Sequence, residues 1–208
     1  MLELNQLYNM DCMEGMKTFP YKYFDLAIVD PPYGIGNFIP QTGKHKGQKF
    51  DVVGWNDKIP SIEYFQELHR ISKHRIIWGA NYYNCFEELG GSIIWNKQQY
   101  NPKMSRCEIA SHSFYKKNDY YEYSWNGRNP LQKKAFHPCQ KPIALYKWIL
   151  HKYAKPDFKI IDTHAGSCSS VIAFLDFGCD WIAFETDKDY YEAASKRIEN
   201  HKMQLKLF

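Results

Sequence analysis

The sequence predicts an α/β fold, a doubly wound and mostly parallel sheet, on three observations. Short apolar runs alternate with segments of helical spacing, as in βαβ units. At least one run, Phe24 to Val29, is continuously apolar apart from Asp25, which suits a strand buried inside a sheet. Hydrophobic residues make up 44% of the 208 and charged residues 24%, enough to cover a sizeable core and too few charges for disorder.

The elements follow in order. Phe24 to Val29 is closed by Asp30-Pro31-Pro32 and reads as the first strand. Gly34 to Val53 has no periodicity and holds four glycines with Lys44, Lys46 and Lys49, so it is a long loop of the kind that often carries function. Ser61 can cap a helix in which Ile62, Phe65, Leu68 and Ile71 share a face. Arg75 to Gly79, Ser92 to Trp95 and Glu108 to Lys116 read as strands. Pro142 opens a helix through about Tyr153, since proline suits a first helical turn. Phe158 to Ile161 is again strand-like; a small-residue turn at Thr163 to Ser167 leads to a helix ending near Phe177. Trp181 to Phe184 is the last strand, and Asp187 to His201 the last helix.

Several classes are excluded. No stretch approaches the roughly 18 uninterrupted apolar residues of a membrane span, and Met1 to Asn5 lacks the build of a signal peptide, so a cytoplasmic location is expected. Cys12, Cys85, Cys107, Cys139, Cys168 and Cys179 are scattered, without zinc spacing, and reduced thiols are expected. No metal site is expected. The net charge of +4 is mild, but its distribution is not: Trp95 to Leu150 carries ten basic and three acidic residues, +7 locally against −3 elsewhere. Aromatic residues reach 17%, and aromatics mixed with Lys and Arg are also what unstacked bases bind.

Two places carry chemistry. At the first, Ile160 and Ile161 lead into Asp162-Thr163-His164-Ala165-Gly166-Ser167, with Glu185 19 residues past Gly166. A tight turn after a strand lets a ligand approach backbone N–H groups, and an acid closing the next strand can accept ribose hydroxyls. With one glycine, the dinucleotide fingerprint is not met. At the second, the prolines of Asp30-Pro31-Pro32-Tyr33 fix the backbone and leave carbonyls pointing outward. Asp30 and the Pro31 carbonyl then suit an exocyclic amine, and Tyr33 can stack on the ring that bears it.

Asp30-Pro31-Pro32-Tyr33, the Asp162–Ser167 turn and His137-Pro138-Cys139-Gln140-Lys141-Pro142 together resemble the S-adenosylmethionine-dependent DNA amino-methyltransferases. Their order, catalytic motif first, is that of the permuted β group. Asn9 to Met16 resembles the segment lining the cofactor's adenine, and Phe184-Glu185-Thr186-Asp187 the ribose-binding strand end. The resemblance implies a permuted, seven-stranded-type methyltransferase sheet in one domain, with a short target-recognition region at about 96–136. It implies S-adenosyl-L-methionine as cofactor, held by Asp11, Cys12, Asp30, His137, Gln140, Lys141, Pro142, Asp162, His164, Ala165, Gly166, Ser167, Glu185 and Thr186. It further implies that Asp30, Pro31, Pro32 and Tyr33 are catalytic on a base extruded from the duplex.

DNA is the implied partner, contacted by Lys44, Lys46, Lys49, Lys97, Tyr100, Lys103, Arg106 and Arg128, with an aromatic loop at Tyr120 to Arg128. So short a region suits a short target or a homodimer. A bacterial or phage restriction-modification setting is implied, while no residue names a cognate restriction endonuclease. Asp at the first motif position points to adenine N6; cytosine N4 and a catalytically weak nucleic-acid-binding relative are the alternatives. RNA adenine and protein glutamine fit less well, the glutamine enzymes carrying Asn where Asp30 stands. Two departures stand out. His164 and Cys168 replace a Phe and a Gly of the family pattern; the Cys is uncomfortable at φ > 0, and both changes are expected to affect cofactor binding.

Overall fold

The computed structural model describes residues 1–36, 56–83, 90–100, 102, 105–125, 137 and 139–205. Eight strands are described: β1 (Gln6–Tyr8), β2 (Phe24–Val29), β3 (Ser72–Trp78), β4 (Gly91–Asn96), β5 (Cys107–His112), β6 (Asn118–Glu122), β7 (Lys159–Asp162) and β8 (Asp180–Phe184). The helices are α1 (Cys12–Met16), α2 (Ile62–Ile71), α3 (Ala80–Tyr83), α4 (Ile143–Tyr153), α5 (Ser169–Phe177) and α6 (Lys188–Leu205). One sheet runs β1-β8-β7-β2-β3-β5-β4-β6, and only the two pairings of β5 are antiparallel.

The sheet is doubly wound, as expected, because its strands feed two cores. Along β2, Leu26 and Ile28 face one core, while Phe24, Ala27 and Val29 face the other. Ile160 and Ile161 of β7 split likewise, as do Trp181 and Ile182 of β8. The α4 and α5 side chains fill the first core; α1 and α2 fill the second. This two-sided burial explains the apolar runs.

Two strands were not expected. β1 is three residues long with a polar exposed start, below what a hydrophobic pattern reveals. β6 falls in the expected aromatic loop. Its residues pair with β4, and Tyr121 stacks on Trp148 of α4 at 4.9 Å, so part of that aromatic excess covers a sheet edge. Two smaller differences concern helix starts: Ser61 caps α2 by backbone position without a side-chain bond, and Pro142 sits at the N-cap of α4 rather than in its first turn.

The crossovers place the site. From β2 the chain moves one way, through α2 to β3; from β7 it moves the other way, through α5 to β8. The crevice between adjacent β2 and β7 is therefore the topological switch point, where α/β sheets bind ligands beyond the strands' carboxyl ends. Asp30 follows β2, and Asp162 ends β7.

Candidate active site

A cavity of about 1230 Å³ opens at that switch point, larger than most single-ligand sites. Both expected sites line it. The Asp30–Tyr33 turn meets the His164–Ser167 loop there, together with Asp11, Cys12, His137, Gln140, Lys141, Glu185 and Thr186.

On the β7–β8 side, burial dominates. Gly166 takes φ +49°, and a Cβ there would lie 3.1 Å from His137 Nε2, so the loop passes close to that imidazole. Glu185 Oε2 accepts from Gly166 N–H at 2.8 Å, and Oε1 accepts from Asp187 N–H at 2.9 Å. Asn9 fastens the same turn, donating to the Glu185 and Thr186 carbonyls. Asp11 lines the cavity while its Oδ1 caps α1 through the Met13 N–H. Burial pushes His137 and His164 down to about 4, leaving two neutral rings. His164 packs edge-on against Tyr64 at 5.4 Å, and it lines the cavity. Cys168 does adopt the left-handed conformation, φ +57°, at the start of α5.

Asp162 corrects an expectation. It does not line the cavity; it lies buried beneath the loop, accepting from the His164 N–H at 3.0 Å and from Ser170 Oγ at 2.5 Å. Burial, reinforced by the Asp30 and Glu185 carboxylates, raises its carboxyl from 3.8 to about 7, despite those two bonds. Pro142 likewise does not line the cavity; it begins α4.

On the β2–β3–β5 side, charge pairing dominates. Tyr33 donates its hydroxyl proton to Asp30 Oδ1 at 2.6 Å, and its N–H to Asn56 Oδ1 at 2.7 Å. Lys141 Nζ binds Asp30 Oδ2 and lies 3.1 Å from both Tyr33 Oη and Glu108 Oε2. Glu108 also holds Lys97 Nζ at 2.5 Å. Burial would raise the Glu108 carboxyl, but the Lys141 and Lys97 ammoniums outweigh it and hold it at about 2. Burial opposes the charge of Lys141, and its two carboxylates reverse that and raise it.

Both amine acceptors carry partners already. The Pro31 carbonyl accepts from Tyr83 Oη at 2.5 Å, and Asp30 accepts from Tyr33 and Lys141. A carbonyl has two lone pairs and a carboxylate about four, so each retains capacity for an amine. The Tyr33 ring is stacked on Tyr82 at 4.9 Å.

Two expected contacts move. Lys97 is turned inward to Glu108 rather than outward to phosphates, and Lys141 serves the Asp30 side rather than the β7–β8 loop. With Lys147 paired to Asp176, three of the six described basic residues between Trp95 and Leu150 are paired with carboxylates. Tyr100 and Arg106 do come together, Arg106 lying 5.9 Å over the exposed ring, beside a second cavity of about 520 Å³ that includes Gln98 and Gln99. Lys44, Lys46, Lys49, Lys103 and Arg128 lie outside the described residues. Trp125 is buried, donating from Nε1 to the Gln140 carbonyl at 2.9 Å, and so docks the 137–142 segment instead of reading bases.

Sequence reasoning missed Gly79, Tyr82, Tyr83 and Glu108. Gly79 has φ +77°, and a Cβ there would land inside the Tyr33 ring, so only glycine fits. Its signal was a glycine directly after a strand, the position that Asp30 holds after β2. Glu108 could have been flagged by parity: it pairs with buried Trp95 across the sheet. Among the described residues no helix is long and apolar enough to cross a membrane.

Comparison with known proteins bears on the family and the fold. A family model described as DNA methylase matches residues 92–196, half of the chain, from β4 into α6. The type II methyltransferase M.HinfI of Haemophilus influenzae is 24% identical over 254 residues, covering 96% of this chain and 69% of that protein. Among solved structures, the M1.HpyAVI–SAM complex superposes with a TM-score of 0.60 at 19% identity, covering 92% of this chain and 98% of that one. The cytosine-N4-specific PvuII DNA methyltransferase gives 0.63 at 14% identity, covering 94% and 90%. The chain belongs to the N6/N4 DNA methylase family, whose methyl donor is S-adenosylmethionine.

Proposed function

We propose that this protein methylates the N6 amine of an adenine extruded from DNA. One observation carries the reading: the Asp30–Tyr33 turn and the loop after β7 face each other inside one cavity at the sheet's switch point. The residues fit the cofactor, because Gly166 lets His137 close against the loop, Glu185 presents a carboxylate to the cavity, and Asp162 lies as a buried acid beneath the loop. Bound there, S-adenosylmethionine supplies an electrophilic methyl group on a sulfonium.

The chain's own residues do the rest. Asp11 and Glu185 would hold the nucleoside part, with Cys12 and Thr186 beside them. The His164–Ser167 loop, closed by His137 and Gln140, would surround the methionine part. Asp30 and the Pro31 carbonyl accept the two N–H bonds of the amine and aim its lone pair at the methyl; Pro32 keeps the turn rigid. Transfer would exchange the donor's C–S bond for an N–C bond, and the amine would lose a proton, for which Asp30 is the placed acceptor. No covalent enzyme intermediate is needed, so alignment supplies the rate. Tyr82 is 38% exposed and covers one face of Tyr33; it is the ring that an incoming base would displace. Residues about 96–136 form the target-recognition region of a single domain, with Tyr100 and Arg106 at its rim.

Adenine is favoured by Asp at the first motif position. The cytosine-N4 reading is favoured by the fold shared with the PvuII enzyme. The test incubates the protein with labelled S-adenosylmethionine and plasmid DNA, then analyses nucleosides by mass spectrometry. N6-methyladenine is the expected product; N4-methylcytosine overturns the base, and no methylated nucleoside overturns the activity.

A further inference from the structure

Lys141 stands where neither the cofactor motif nor the Asp-Pro-Pro-Tyr turn requires a cation. The segment 137–142 crosses the cavity. At one end His137 packs on Gly166 and on Tyr190, whose ring centroid is 4.5 Å away. Four residues later Lys141 lies among groups of β2, β3 and β5: Asp30, Tyr33, Trp78 and Glu108. Its side chain is 5% exposed.

An ammonium has three N–H donors. One goes to the Asp30 carboxylate, while Glu108 Oε2 lies 3.1 Å from Nζ as an ion pair. Another goes to a neutral oxygen, Tyr33 Oη, at 3.1 Å, which makes it the bond most readily exchanged for another neutral acceptor. Glu108 pairs with Lys97 as well, so the position keeps a counter-charge however Asp30 is engaged.

The bases that carry an amine suitable for transfer, adenine and cytosine, share one edge. The exocyclic NH₂ lies beside a ring nitrogen that only accepts, N1 or N7 in adenine and N3 in cytosine. An Asn or Gln amide reads such an edge with an acceptor and a donor held side by side. Asp30 and Lys141, in direct contact, present that acceptor–donor pair from two side chains.

We propose that Lys141 is a specificity-determining residue that donates to the ring nitrogen beside the target amine, while Asp30 accepts from the amine itself. The inference rests on the amino-methyltransferase reading above. A keto base fails twice when read by its Watson–Crick edge, offering a carbonyl oxygen to Asp30 and a ring N–H to Lys141; read at N7, guanine still fails at Asp30.

The test uses an oligonucleotide carrying the site found methylated in plasmid DNA, with the target adenine replaced by 1-deazaadenine or 7-deazaadenine. Each analogue removes one ring nitrogen and keeps the amine; 3-deazacytosine serves if the product is N4-methylcytosine. For the wild-type protein, one analogue is expected to lower kcat/KM by roughly tenfold to a hundredfold, the range for a charge-assisted hydrogen bond. Lys141→Met, which removes every N–H donor at near-constant volume, is expected to lower kcat/KM on normal DNA and to lose the discrimination, leaving S-adenosylmethionine affinity within about threefold. Lys141→Arg, which keeps the charge, is expected to retain part of the discrimination.

Indifference of the wild type to every analogue overturns the proposal, and that measurement needs no variant to fold. Full discrimination retained in Lys141→Met overturns it too, as does cofactor affinity falling in step with the rate. Failure of the parent reading looks different: the wild type then methylates no normal DNA.

Discussion

The two walls of the cavity settle the same problem, ionisable groups out of water, in opposite ways. On the β7–β8 side desolvation wins: Asp162, buried beneath the loop, is raised to about 7, and His137 and His164 fall to about 4, so all three favour their neutral forms. On the β2–β3–β5 wall attraction wins: Glu108 is held at about 2, and Lys141 is raised. The difference lies in partners. Asp162 is bonded by a backbone N–H and a hydroxyl, and its charged neighbours are acids. Glu108 has two ammoniums. A wall kept near neutral suits a cationic cofactor, and S-adenosylmethionine carries two cationic centres; the wall with fixed charges is the one proposed to read the polar edge of a base.

The largest test of this contrast removes the acceptor on the charged wall. Asp30→Ala should lower kcat roughly a thousandfold while cofactor affinity, measured by calorimetry, changes only a few-fold. Loss of both together would mean that the walls are not separable. Next, Glu108→Gln takes the carboxylate from Lys97 and leaves Lys141 with Asp30 alone, and should cost about 3 kcal/mol in urea unfolding. A cost below about 1 kcal/mol would show the network to be solvated. Gly79→Ala puts a methyl group into the Tyr33 ring at a left-handed backbone position, and a loss of about 2–3 kcal/mol, with a lower kcat, is expected.

The pH responses should also separate the walls. Asp162 is protonated in the ligand-free protein below about pH 7, and a cationic ligand favours its ionised form. Binding then expels a proton, so cofactor affinity should rise, at most tenfold per unit, as pH climbs to 7 and level off above it. Asp162→Asn should flatten that profile. The sign for ligand-free stability is the reverse: the contribution of Asp162 is full below its unfolded value of 3.8 and gone above about 7. Glu108, being depressed, contributes above its ordinary 4.5, and that is lost as pH falls through about 2. The smallest effect belongs to Cys168→Gly. Relief of a left-handed side chain, about 1 kcal/mol, is offset by glycine's entropy and by the lost burial of Sγ. Unfolding should shift by less than about 1 kcal/mol; a larger gain would show that the departure from glycine strains the loop.

How much was legible follows from distance along the chain. The β7–β8 wall is nearly contiguous: Asp162 to Ser167 and Glu185 sit at successive strand ends, and a strand, a small-residue turn and an acid are local patterns. The other wall draws on Asp30, Gly79, Tyr83, Glu108 and Lys141, which no local pattern connects. Lys141 was visible within its motif, yet its direction was not, because the 137–142 segment touches both walls within four residues. Lys97 erred for a related reason: a lysine among polar loop residues looks solvated until the pairing of β4 with β5 brings Glu108 beside it.

The sequence by itself determined the α/β class, the order of its main elements, the Asp30–Tyr33 turn and the cofactor loop, because hydrophobic period and turn chemistry act over a few residues. The tertiary structure alone decided which carboxylates are buried, which lysines face inward and which glycine must stay a glycine. Burial, pairing and close approach depend on neighbours that the sheet order brings together, 111 residues apart for Asp30 and Lys141.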